Sequence, residues 1–194
     1  MGLFSGLSKA SATEGRHPFI SKTGVTVVEV LRHRAGQNRE KVPFFSADLE
    51  IVEVVAETPL PASVIAYNEK AVQNPVPEGA HQVGEKVTFY IKVASPQIDS
   101  KLGNIKNHAE AVFDSLNADL DSPKAEGWIA YDEYDDDDWE KAIMDPDEGL
   151  ASGEGDLCEG MKLVMSVEAR IGVKSGNPYT VATFSPYTPA TPAA

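Results

Sequence analysis

Residues 86–116 read KVTFYIKVASPQIDSKLGNIKNHAEAVFDSL, and two periodicities meet in them. Over Lys86–Ala94 the apolar residues Val87, Phe89, Ile91 and Val93 alternate with Thr88, Tyr90 and Lys92, the period of a strand with one face buried. From Lys101 to Leu116 the spacing changes. Ile105, His108, Ala109, Val112, Phe113 and Leu116 recur at steps of three and four, the apolar stripe of a helix. Asp99 or Ser100 is placed to cap its first amides.

Working outward, two strands precede this pair. Val25–Arg34 carries apolar residues on both faces, as a strand does where it curves and changes layer. Pro43–Val55 sets Phe45, Ala47, Leu49 and Ile51 on a core face and leaves Phe44 exposed with Ser46, Asp48 and Glu50. A basic turn, HRAGQNREK, joins them. The Pro- and Gly-rich stretch 56–84 is a connection with room for one short helical or extended turn near Ser63–Tyr67. Two strands follow: Met161–Arg170, with Met161, Leu163, Met165, Val167 and Ala169 on one face, and Tyr179–Phe184, after the turn VKSGNP.

Three strands, a helix and two strands predict a mostly β chain: a five-stranded OB-like barrel with one helix between strands 3 and 4 and an acidic insertion over 118–157. Other small β folds share that strand count and stay open at this point. The domain spans 19–186, with a flexible N-terminal arm over 1–18 and a flexible tail over 187–194. Within the insertion, a short helix is expected after Asp137 or Asp138 as cap, with Trp139, Ala142 and Ile143 as its apolar stripe.

The net charge of -13 argues by itself against a polyanionic partner, but the distribution is uneven. Between residues 16 and 41 six cations, Arg16, Lys22, Arg32, Arg34, Arg39 and Lys41, face only Glu29 and Glu40. Between 110 and 160 the only cations are Lys124 and Lys141, among 18 acids. Asp132–Asp138 misses the spacing of a calcium loop and offers no converging ligand set. His17, His33, His81 and His108 show no metal or catalytic spacing, no nucleotide-binding glycine loop is present, and no cofactor is expected. A single cysteine, Cys158, excludes an intrachain disulfide. No apolar run reaches the roughly 20 residues of a membrane span, and the N-terminal residues lack the pattern of a secretory signal. The reading is a non-enzymatic cytoplasmic protein.

A basic segment beside outward aromatics is what binds single strands, through phosphate contacts and base stacking. Phe44 and Tyr90 point outward on strands 2 and 3, Lys92 lies two residues from Tyr90, and Arg32, Arg34, Arg39 and Lys41 flank the first turn. These residues predict binding of single-stranded DNA with little sequence preference.

The motifs FFSADLEIVEVVAE, HQVGEKVTFYIKVASPQIDSKLGNIKNHAEAVF and GMKLVMSVEARIGVKSGNPYTVATFSP together resemble phage-type single-stranded DNA-binding proteins. The matched positions are Phe44 and Phe45, Val83 and Gly84, Gly103–Lys106, and Gly176 with Tyr179 and Thr180. The resemblance implies an OB fold, no catalysis, and protection of DNA in phage-type replication or recombination, within the host cytoplasm. It implicates Arg34, Phe44 and Lys106 in binding. One departure stands out: such proteins often end in an acidic tail, whereas this chain ends in ATPAA and holds its acids internally. Asp132–Asp138 then becomes the stand-in for that tail, restraining DNA or recruiting replication or recombination proteins. The competing class is a structural or adaptor protein, virion-associated, using the barrel for protein contacts. Homo-oligomerisation is left open.

Overall fold

A computed structural model describes residues 2–10, 21–70, 75–94, 98–118, 120, 122–123, 125–145, 147–151 and 158–189. All five strands form around the segments the alternation marks, and the first runs on past Arg34 through Gln37, residues expected in the basic turn, because they pair with Pro43, Phe44 and Phe45. The strands are β1 (Gly24–Gln37), β2 (Pro43–Glu57), β3 (Lys86–Lys92), β4 (Lys162–Ile171) and β5 (Pro178–Pro186). Three helices accompany them: α1 (Ala62–Asn68), α2 (Ile98–Asn117) and α3 (Asp136–Met144), the last preceded by a 3₁₀ turn over Tyr131–Glu133.

Every strand pairing is antiparallel, in the order β3-β2-β1-β4-β5. β1 pairs with β2 for most of its length, and three register shifts break that ladder, between Val25 and Thr26, Val27 and Val28, and Val30 and Arg32. Bulges of this kind bend and twist a strand, which is why β1 carries apolar residues on both faces. Phe45, Leu49 and Ile51 of β2, Ile91 of β3, and Leu163 and Met165 of β4 are fully buried, with Ile105, Ala109 and Val112 of α2 packed in the same core. Burying each large aliphatic or aromatic side chain there contributes about 1.5–3 kcal/mol.

The order corrects the barrel expectation. An OB barrel needs its sheet closed, and among the described residues no backbone pairing joins the edge strands β3 and β5. Side chains and α2 take the place of that pairing. Phe89 of β3 and Phe184 of β5 meet edge to face at 4.9 Å, with His108 of α2 at 4.5 Å from the Phe184 ring. Asn107 of α2 accepts the Phe184 amide N–H at 2.9 Å and donates to its carbonyl at 3.4 Å. At Phe184 the outer edge of β5 is thus satisfied by a helix side chain in place of a fifth ladder. The sheet is open, the described residues hold three helices and not one, and the resemblance to OB-fold single-stranded DNA-binding proteins lapses with the barrel.

The acidic insertion is partly structured. Asp135, and not Asp137 or Asp138, is the cap of α3. Its carboxylate accepts from the amides of Asp137 and Asp138 at 2.9 and 3.0 Å, and the Asp138 side chain returns to the Asp135 amide at 3.2 Å. Acids in a first helical turn also suit the positive end of the helix dipole. Trp139 and Ile143 are fully buried, as the stripe requires. At the N-terminus, residues 2–10 of the arm are folded in turns, with Phe4 and Leu7 fully buried. Residues 11–18 of the arm and 190–194 of the tail lie outside the described residues.

Candidate functional site

The pleat of β1, β2 and β3 builds one outward face. Register pairs Gly36 with Phe44 and Phe44 with Lys92; the next row is Arg34, Ser46 and Tyr90; the next is Arg32, Asp48 and Thr88. Phe44 and Tyr90 sit on a diagonal and stack, ring centroids 5.6 Å apart and planes 21° from parallel. Tyr90 is exposed and Phe44 half-buried. The guanidiniums of Arg32 and Arg34 reach one carboxylate, Asp48, at 3.3 and 3.0 Å, and the Thr88 hydroxyl donates to it at 2.9 Å. Burial works against ionisation of Asp48, but Thr88, Arg34 and Arg32 outweigh it and hold the carboxyl below its usual range. Lys92 pairs with Glu40, whose pKa its hydrogen bond and charge lower.

At the tip between β1 and β2, the Asn38 side chain accepts the amides of Glu40 and Val42 at 2.9 and 3.0 Å. Lys41 takes φ 58°, the left-handed region that Gly or Asn fills with less strain. Arg39 and Lys41 are exposed at this tip. Of the residues singled out in the sequence, Arg32, Arg34, Phe44, Tyr90 and Lys92 therefore share one face, with Arg39 and Lys41 on the turn that continues it. Lys106 does not join them. It lies on α2, with its ammonium 5.4 Å from the centre of the Trp139 ring and 3.3 Å from the Ser8 carbonyl. The tract expected to restrain DNA is also engaged elsewhere: Asp135 and Asp138 cap α3, and Asp136 binds the N-terminal segment.

Two further constellations were invisible in the sequence. Ser21 Oγ lies 3.2 Å from His81 Nε2, and His81 Nδ1 lies 3.2 Å from Glu85 Oε2, which also pairs with Lys22 at 2.9 Å. The order of groups is that of a nucleophile, a base and an orienting acid. However, the Lys22 carbonyl is 3.1 Å from the same Nε2. A carbonyl only accepts, so this contact favours the form of the ring with its hydrogen on Nε2, which is not the form that takes a proton from Ser21. The second is His33 of β1 and His108 of α2, Nε2 to Nε2 at 2.9 Å, boxed by Phe45, Phe89 and Phe184. Both rings are buried, and one donates to the other across the core. Sequence separations of 60 and 75 residues leave no local signal for either. Among the described residues no three His, Cys, Asp or Glu side chains converge as metal ligands, and no helix is long and apolar enough to cross a membrane.

The chain matches no family model and no curated protein. The expectations that it binds single-stranded DNA on an OB surface, or that it serves as an adaptor through a barrel, lose the surface they rested on.

Proposed function

We propose that the chain is a non-catalytic binding module whose β1–β2–β3 face takes an extended acidic polypeptide. The observation that carries this reading is the stacked Phe44–Tyr90 pair beside Arg32, Arg34 and Lys92. Tyrosine and arginine are the side chains that most often dominate the energy of protein interfaces. Each of these three cations already holds a carboxylate of its own chain, so an incoming Asp or Glu replaces one partner by an equivalent one while its apolar neighbour covers the rings. The exposed Arg39 and Lys41 of the tip extend the cationic side of this face. A reducing compartment such as the cytoplasm suits the module, whose one cysteine is the buried Cys158.

Fluorescence anisotropy with a labelled peptide alternating Glu and Tyr tests the reading. Binding is expected at low salt and weakens as salt rises, and Arg34→Ala or Tyr90→Ala lowers affinity about fivefold or more. No binding at low salt, unchanged affinity in both variants, or tighter binding of an oligonucleotide of matched charge overturns it.

A further inference from the structure

The N-terminal residues GLFSGLSKA (2–10) place Phe4 and Leu7 three apart, and both are fully buried in the main core. Between them Gly6 turns the chain at φ +95°, its α-carbon facing Leu102 of α2. The polar attachments of the segment converge on one side chain. Asp136, the first residue of α3, accepts the Gly6 amide at 2.8 Å, the Ser8 amide at 3.0 Å and the Ser8 hydroxyl at 2.5 Å. Lys106 of α2 adds a contact to the Ser8 carbonyl at 3.3 Å. Among the described residues the segment's other hydrogen bonds are its own turns, such as Leu7 to Phe4 and Ala10 to Gly6. It joins no strand, and ten residues of chain separate Ala10 from Ser21.

We propose that residues 2–10 form a releasable strap, held over α2 and α3 by the Asp136 carboxylate, with Ser8 as the point at which added negative charge ejects it. The charge around the anchor favours this. Asp135, Asp137, Asp138 and Glu140 neighbour Asp136 at the start of α3, and among the described residues Lys9 of the strap, Lys106 of α2 and Lys141, one turn beyond Asp137, oppose them. One carboxylate is tolerated because three donors meet it; an anion added at Ser8 takes the hydroxyl out of those donors and meets the same acids, which outnumber Lys9, Lys106 and Lys141. The hydrogen bonds from Ser8 and Gly6 hold Asp136 below the usual carboxyl range, so the anchor is complete above that range and fades as pH falls through the lower, folded value. Release uncovers the apolar surface filled by Phe4 and Leu7 and frees Lys106 from Ser8.

Hydrogen exchange on the full chain is the test, read together with tryptic cleavage after the exposed Lys9. Asp136→Asn and Ser8→Asp should speed exchange at the Gly6 and Ser8 amides about tenfold or more, and should speed cleavage, while amides of β2 keep their protection. In a Trp128→Phe background, emission from Trp139 should shift in both variants and not in Ser8→Thr. Unchanged protection at Gly6 and Ser8 in both variants overturns the proposal. So does loss of β2 protection in a chain lacking residues 2–10, since the segment would then be an inseparable part of the core.

Discussion

Three asparagine carboxamides close gaps that backbone elsewhere in the fold leaves open. Asn68 takes both the amide and the carbonyl of Val76, Asn117 those of Ile129, and Asn107 those of Phe184. Each side chain offers one acceptor and two donors, so it substitutes for a strand neighbour at a single residue. Asn107→Ala leaves the Phe184 groups without their partner on the edge of β5 and should cost about 1–3 kcal/mol. Urea denaturation checks this, with the midpoint falling and the slope unchanged. None of these roles is legible in the sequence, because an asparagine on a helix surface looks the same whether it faces water or a strand edge. Phe44, Tyr90 and Lys92 were legible, since a period of two puts them on the face opposite Phe45, Phe89 and Ile91.

At the scale of elements, the strands followed from alternation and α2 from its three- and four-residue steps, with α2 beginning at Ile98, three residues before Lys101. Local chemistry was enough there. The start of α3 was harder to read, because four successive aspartates, Asp135 to Asp138, all have the side chain of a cap and only the helix geometry selects Asp135. The ladder across β1, β2 and β3 carries its own pH signature. Asp48 is depressed in the folded chain by Thr88, Arg34 and Arg32, so its contribution is present above the unfolded carboxyl pKa of about 3.9 and fades as pH falls through the folded value. Asp48→Asn should therefore be less stable than the parent near neutral pH, and the gap should narrow below about pH 4. Thermal denaturation of both proteins across that window checks it; a gap constant with pH would exclude the ionised ladder.

For the molecule as a whole, the net charge of -13 sets the response to salt. The acids of the insertion repel one another within a Debye length of about 10 Å at 0.1 M salt, so Tm should rise with salt over the range in which peptide binding weakens. A scan from low to moderate salt that lowered Tm would show that the ion pairs of the sheet outweigh this repulsion. The sequence by itself determined what depends on neighbours along the chain: five strands, the long helix, the buried stripe of Trp139 and Ile143, and which side of β2 and β3 holds the aromatics and cations. Tertiary structure decided whether the sheet closes. Five strands with a helix after the third are compatible with a barrel, and only the packing shows Phe89, Phe184, His108 and Asn107 standing where β3 and β5 would otherwise pair. Likewise, only tertiary contact could turn the N-terminal arm into a docked segment, because Asp136 and Ser8 are 128 residues apart. Periodicity reports which face of an element is apolar, whereas closure and docking depend on which distant face that surface meets.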